Sequence, residues 1–588
     1  MNAAEKNTTY RIWRYYKAPY DHNPDTECSQ TIETIRADQI YTDEILSDIA
    51  ANGFNGIWLD AHLYDLVRHP VFPEFGMYAD AHIAALKRLI AQARQHGVKV
   101  WLCMQPGRGV SENDHAFWEK HKDLAGSRFR IHTKTWGAKG DQEFTDIIAL
   151  CTSTEPVKRY LKEAFAELGR QLPGLGGCIL ITASEFHAHC YTFDPPPERS
   201  CPRCNAREKK DVISEVVTLA YNGLHSTNPA AEIIAWDWGW DKLAPEIVPG
   251  LPSGVILMPN FESGCVKTIC GQPETKIDEY SLSCIGPSPR FVKEITLAEK
   301  QGMRWMARLQ FGTTHELGTV SNLAVLANLF HKADFMRKHH SAGFMGCWNF
   351  GNMFSANTAA FNYFLSSQAP DDCHAALTAF AGSYFEHADV EKAARAWEIL
   401  SATLSDHYPF DNPFMYVGPV SWTLGYFSPP GTMRGKGGLS FSCRLGNDRG
   451  DDFSGAFKNF TLPEILAAME AVADGWEKGS ALLDEALARD SGRHAEEELS
   501  AVHTAAASFR SVCNLMKIVR IKQEKGEASG PDYLAIQRRE LETVERALPY
   551  VERDSRQGFH AEARAYFFDA ERLRRKIGLL KQTLGLDK

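Results

Sequence analysis

Eight short apolar runs recur between Tyr10 and Gly351, and no other feature constrains the fold so tightly. They are YRIWRYY, FNGIWLD, VKVWLCMQP, GCILITASE, EIIAWDWGW, GVILMPNFE, MRWMARLQFG and GFMGCWNFG, most introduced by glycine and ending in polar or aromatic residues. Between them lie amphipathic stretches such as DAHIAALKRLIAQARQHG, whose apolar residues fall at helical spacing before a glycine stop. Strands alternating with helices imply parallel pairing through crossover connections, and about eight such units is what a (β/α)8 barrel requires. The expected fold is therefore α/β, a TIM barrel over residues 1–365, followed by a C-terminal helical domain. Residues 366–455 read as a helical segment and a long aromatic, Pro- and Gly-rich connection, and 456–588 as a helical bundle.

The balance of 64 Lys+Arg against 74 Asp+Glu, net -10, argues against a nucleic-acid or anionic-membrane footprint, since both need a basic face. The first residues, MNAAEKNTTYRIWRYYKAPY, hold no apolar core of signal-peptide length, and no run is long enough to span a bilayer. A cytoplasmic enzyme or binding protein is expected, with its 14 cysteines mostly reduced. A neutral or cationic small partner fits this charge better, with further copies of the same chain as one option; no organic cofactor is called for.

In a barrel, chemistry gathers at the C-terminal strand ends. There the fourth run ends in Glu185, and a carboxyl emerging from an apolar strand is partly desolvated and holds its proton, as a general acid must. Glu316 follows the seventh run in ARLQFGTTHELGTV and is the expected second carboxylate. Such a pair cleaves glycosidic bonds, one group protonating the leaving oxygen and the other attacking the anomeric carbon or activating water. Each has a structural alternative: Glu185 as a cap or loop ion pair, Glu316 as part of a capping box with Thr313 or Thr314. Trp13, Trp236, Trp238 and Trp348 are expected to offer indole faces to a sugar, although barrel packing is the simpler role for any one of them. Asp60, Asp237, Arg308 and Asn349 are the expected hydroxyl-binding groups.

The segment CYTFDPPPERSCPRC places Cys190 ten residues before a C-x-x-C formed by Cys201 and Cys204. Three soft ligands across a foldable loop suit a structural zinc, with His187 or His189 as the expected fourth, and the ion would rigidify the loop that carries Glu185.

With its Ser-Glu after the fourth strand, its CPRC loop, the ALCTSTEPVKRYLKEAFAEL segment and the THELGTV and ERDSRQGF stretches, the chain resembles bacterial barrel glycoside hydrolases. The resemblance is to the family 20 hexosaminidase and endo-β-N-acetylglucosaminidase-like group. It implies a glycosidase with Glu185 as acid. Family 20 enzymes carry Asp-Glu there, the Asp positioning the substrate's own acetamido group; this chain has Ser184-Glu185. The pairing of Glu185 with Glu316, in an exo-acting retaining enzyme on a short oligosaccharide or glycoside, is therefore the expectation. A substrate-assisted hexosaminidase with Asp237 orienting the acetamide, a non-catalytic carbohydrate-binding barrel, and a metal-dependent hydrolase are the alternatives.

Overall fold

The computed structural model describes residues 9–19, 32–132, 143–183, 187–192, 195–269, 271, 275–277, 281–346, 348, 353–417, 419–434, 450–452 and 456–586. These fall into two compact units that do not divide at a single point in the chain. The first comprises Met1–Phe261, Pro289–Arg308 and Ser341–Gly346; the second comprises Glu262–Ser288, Leu309–His340 and Cys347–Lys588.

All eight apolar runs contain a strand. They are β1 Tyr10–Trp13, β2 Gly56–Asp60, β3 Lys99–Met104, β4 Gly177–Ile181, β5 Glu232–Trp236, β6 Ile256–Met258, β7 Ala307–Leu309 and β8 Gly343–Gly346. They form one eight-stranded sheet in which β8 pairs with β1 in parallel, Tyr10 opposite Gly343. The remaining seam, β6 to β7, is joined by parallel bridges at Leu257–Trp305 and Asn260–Arg308, so the sheet closes. Helices Asp43–Ala51, Ala79–Gln95, Glu155–Gln171, Lys209–Thr227 and Pro289–Lys300 are crossovers of this unit. Thr42 caps the first of them by accepting from the Ile45 amide.

The lumen-facing set follows from one contact. The Tyr10 hydroxyl on β1 donates to Glu232 on β5 at 3.1 Å, and strands on opposite sides of a barrel meet only through its interior. Side chains alternate along a strand, and register partners in a parallel ladder share a face. Tyr10, Ile12 and Arg14 therefore point inward, as do Gly56, Trp58 and Asp60 on β2 and Trp101, Cys103 and Gln105 along β3, since Ile12 pairs with Gly56, Trp58 with Trp101 and Asp60 with Cys103. The same reasoning turns Trp236, Asn260 and Arg308 inward and Trp13 and Asp237 outward.

Between β3 and β4 the chain builds an antiparallel sheet that the sequence reading missed, ordered Val110–Ser111, Phe144–Leu150, Ala125–His132. Its strands alternate only weakly, and FTDIIAL resembles the lead-in to the following helix.

The second unit is helical. Its long elements are Val390–His407, Leu462–Ala486, Arg493–Lys525, Gly530–Arg553 and Ala570–Leu584, each packing against the next in order. A Thr461–Glu464 capping box opens the second, and Gly526 at φ +80° closes the third. Among the described residues no helix is long and apolar enough to cross a membrane.

Candidate active site at the carboxyl ends of the barrel strands

Six inward side chains meet the C-terminal ends of strands in the first unit: Arg14, Asp60, Gln105, Trp236, Asn260 and Arg308. All are buried, Arg308 at 0% and Asp60 at 3% exposure.

Arg14 is held by a carboxylate the sequence did not single out. Its guanidinium pairs with Glu33 at 2.7 Å and lies over the Trp58 ring at 4.0 Å. Glu33 also accepts from the Asp60 amide at 2.7 Å and from the Tyr41 hydroxyl at 3.0 Å. Burial raises its pKa while Arg14 opposes the rise, and its bonds to Arg14, Tyr41 and the Asp60 amide fix the ends of β1 and β2 together. Nothing in the local pattern ETI advertised this role, because it depends on a contact made only after the barrel closes.

Asp60 carries the feature that most suggests a ligand. Its Oδ2 is buried and, among the described residues, has no hydrogen-bond partner; the same holds for Oε1 of Gln105 on the adjoining strand. Two acceptors on one face at neighbouring strand ends are a standing demand for donors. Across the lumen, the Trp236 indole donates to Asn260 at 2.9 Å, and the Arg308 guanidinium lies 5.6 Å from the Trp236 ring centre.

Several expected site residues stand elsewhere. Trp13 is 1% exposed, points away from the lumen and packs on Phe54 at 4.3 Å, so it is a core residue and not a sugar platform. Trp236 does face the mouth, but at 1% exposure it offers no open face. Trp238 is half-buried, with its ring 5.7 Å from that of Trp236, and keeps the platform role available. Trp348 is half-buried and belongs to the second unit. Asp237 faces outward: Arg290 on the crossover helix donates to its Oδ2 at 2.5 Å, and the Asn260 amide to its Oδ1 at 2.9 Å. Glu294, one turn along that helix, accepts from Arg290 Nε at 2.8 Å, and burial followed by the Asp237 charge pushes the Glu294 carboxyl up to about 9. Asp237 thus ties a strand end to the outer helix layer and cannot orient a substrate in the lumen. Glu185 and Asn349 lie outside the described residues.

Glu316 is described, in the second unit, and its surroundings revise its expected role. Its Oε1 accepts from the Ser281 hydroxyl at 2.6 Å and the Ser283 amide at 3.0 Å; its Oε2 accepts from the Leu282 amide at 2.7 Å and the Thr314 hydroxyl at 2.9 Å. A carboxylate has about four lone-pair sites, and all are taken. Glu316 is a staple on the Ser281–Ser283 segment, and since no helix starts beside it, the capping-box alternative does not describe it either. The rest of that segment is equally accounted for. Lys332 donates to the Ser281 carbonyl at 2.7 Å, Asn328 to that of Leu282 at 2.9 Å and Lys267 to that of Ser283 at 3.1 Å. Lys332 also pairs with the fully buried Glu262.

Of the expected metal ligands, Cys190, Cys201 and Cys204 come together, and the fourth member of the cluster is Cys151, not a histidine. His187 instead stacks on Phe129 with ring centres 3.8 Å apart, and His189 Nδ1 accepts from the Tyr191 amide at 3.0 Å. Cys151 was missed because it stands 39 residues before Cys190, outside any short motif.

No family model matches the sequence, and no curated protein does. Among solved structures, the chain is similar to a GH138 enzyme described as targeting pectin rhamnogalacturonan II, with TM-score 0.51 and 10% identity over 99% of this chain and 68% of that one. A family 89 glycoside hydrolase from Clostridium perfringens, in complex with PUGNAc, matches with TM-score 0.49 and 10% identity over 99% of this chain and 64% of that one. A family 20 β-N-acetylglucosaminidase matches with TM-score 0.30 and 12% identity over 53% and 54% of the two chains. The first likeness is one of fold: a closed parallel barrel with a helical region.

Proposed function

We propose that the chain is a glycoside hydrolase whose substrate binds at the C-terminal mouth of the barrel unit. The observation that carries this reading is the pair of buried acceptors, Asp60 Oδ2 and Gln105 Oε1, on the inward face of adjacent strand ends and without a partner among the described residues. Leaving such oxygens unsatisfied costs about 1–3 kcal/mol each, and a polyhydroxylated ligand supplies the missing O–H donors. Arg308 and Asn260 add donors across the mouth, and Trp238 a half-open ring beside them. That arrangement suits a neutral sugar better than an anion or a nucleic acid, as the net charge of -10 also suggests. The fold shared with a GH138 enzyme supports the same reaction class.

In this reading Glu185 is the proton donor, placed by chain position four residues beyond β4. Glu316 holds the Ser281–Ser283 segment, and would serve as nucleophile only by giving up one of its four hydrogen bonds. Exo action on a short glycoside, in keeping with the expected cytoplasmic setting, completes the proposal, and retention of the anomer belongs to it only if a carboxylate at the mouth serves as nucleophile. Substrate assistance through Asp237 is not part of it, because that carboxylate faces the outer helices.

The test is hydrolysis of a panel of nitrophenyl glycosides by wild type, Glu185→Gln, Asp60→Asn and Glu316→Gln, with folding followed by circular dichroism. One sugar should be cleaved. Glu185→Gln should lose about 10³-fold in kcat, within the range a general acid contributes, and Asp60→Asn should raise KM. The product anomer, read by NMR, reports retention or inversion directly. Sugar binding without turnover in wild type, unchanged in Glu185→Gln, would leave a carbohydrate-binding barrel instead.

A further inference from the structure

The cysteine cluster is built from residues outside the eight barrel strands and has a chemistry of its own. Cys151 directly follows the strand Phe144–Leu150, Cys190 lies in the segment after β4, and Cys201 and Cys204 enclose Pro202 and Arg203, with Cys204 opening a short 3-10 turn. All four are buried and none is in a disulfide. Their sulfurs lie within 4.8 Å of one another, Cys151 being 3.5 Å from Cys201 and 3.8 Å from Cys204. Four thiolates bound to zinc at about 2.3 Å in a tetrahedron have their sulfurs about 3.8 Å apart. A disulfide would need about 2.05 Å. The spacing is that of a coordination shell.

What surrounds the sulfurs fits the same end. The Ser127 amide points at Cys190 Sγ at 3.4 Å, the Arg203 Nε–H at Cys151 Sγ at 3.3 Å, and the Ser153 hydroxyl reaches Cys204 Sγ at 3.2 Å. Arg207 donates to the Ser153 oxygen at 3.0 Å, which leaves the Ser153 hydrogen free to turn toward the sulfur. Donors aimed at sulfur stabilise thiolates and orient them on a metal. Space is reserved as well: a Cβ on Gly126 would stand 2.4 Å from Cys190 Sγ and 2.8 Å from the Ala149 carbonyl, so only glycine passes there. With both described histidines packed or bonded elsewhere, the ligand set is closed by sulfur alone.

We propose that Cys151, Cys190, Cys201 and Cys204 bind one zinc ion in a closed, tetrahedral, all-thiolate site that fastens the antiparallel sheet to the segment following β4. Binding forms four Zn–S bonds and releases four thiol protons, with no change of oxidation state. Zinc with four protein sulfurs has no open position for water or substrate, so the ion is structural. The site stands independently of the glycosidase reading. It also pins both ends of the Pro-containing stretch between Cys190 and Cys201 to one ion.

The test uses the full chain purified in reducing buffer without added metal. Elemental analysis should find about one zinc per chain, as a closed site of four thiolates retains its metal through purification. Alkylation followed by mass spectrometry should show Cys151, Cys190, Cys201 and Cys204 protected as a group until a chelator is added, whereas the half-buried Cys373 reacts throughout. Cobalt exchanged into the site should give the intense thiolate charge-transfer and visible bands of tetrahedral Co(II). Cys151→Ser should lose the metal and Cys373→Ser should keep it. Because Cys151→Ser could fail to fold, the alkylation and cobalt readouts on wild type decide on their own. Metal below about 0.1 per chain together with no cobalt–thiolate band, a disulfide within the four in the native protein, or iron in place of zinc would overturn the proposal.

Discussion

Lys332 is a fully buried cation whose three donors are all committed: to Glu262, to the Ser281 carbonyl at 2.7 Å and to the Gln310 carbonyl at 3.1 Å. Lys332→Met keeps the stem and removes the ammonium. Glu262, at 0% exposure, would then be a buried anion facing an apolar group, and breaking a buried pair this way costs about 3–5 kcal/mol. Total stabilities are about 5–15 kcal/mol, so the loss is a large part of what the second unit has to spare. Glu262→Gln alone should be similarly costly, because it leaves the ammonium buried. The double variant removes both charges and should recover a coupling of about 1–3 kcal/mol relative to the summed singles. Urea unfolding followed by tryptophan fluorescence gives the midpoints, and amide exchange at Leu282 and Ser283 reports the segment that Lys332 and Glu316 jointly hold. If Lys332→Met shifts stability by less than about 0.5 kcal/mol, the level of an ordinary surface change, or if the double variant is no better than the sum, the account of that segment is wrong.

Other outcomes follow from buried titrating groups and close contacts. Glu294 is neutral in the native state up to about 9 but ionises near its ordinary value of 4.5 when unfolded, so the native state binds the extra proton and stability falls as pH rises across that window; Glu294→Gln should flatten the decline, measured as Tm from pH 5 to 8. His560 has the opposite sense. Burial lowers it from 6.5 to about 3, and its Nδ1 accepts from the Ala563 amide at 3.2 Å, so its contribution is intact above pH 6.5 and is lost as pH falls toward the folded value. His560→Gln should move the acid-unfolding midpoint to lower pH. Gly126→Ala should destabilise the sheet next to Cys190 and lower zinc content, checked by elemental analysis, whereas alanine at Gly578, where a Cβ meets nothing within 4 Å, should be neutral or slightly stabilising by helix propensity.

The barrel was legible because its signal is repeated: eight apolar runs each hold a strand, and a repeated pattern tolerates ambiguity in any one member. The site was legible only in outline. Asp60 and Arg308 were singled out at strand ends and do face the lumen, since their positions follow from where the runs stop. Trp13 and Asp237 fell on the wrong side by one residue each, the distance that reverses the direction of a side chain along a strand. Glu33, Gln105 and Cys151 had no local signature. Glu33 and Cys151 acquire their roles from contacts between separate segments, as when Glu33 meets Arg14 and Asp60, or Cys151 meets Cys201, and Gln105 from where β3 ends in the closed barrel.

The interleaving of the two units bears on how the chain is made. Synthesis passes from one unit to the other five times, and the last barrel strand, Gly343–Gly346, follows two excursions into the second unit before it pairs with Tyr10–Ile12. Until that strand has left the ribosome, β1 and β7 each present an unpaired edge of the kind that recruits neighbouring chains. The nascent protein is thus most exposed to aggregation over the stretch between β7 and β8, and truncation anywhere before Gly346 leaves the sheet open. Removing only the helices beyond 365 would keep all eight strands but strip Glu262–Ser288 and Leu309–His340 of most of the unit to which they belong.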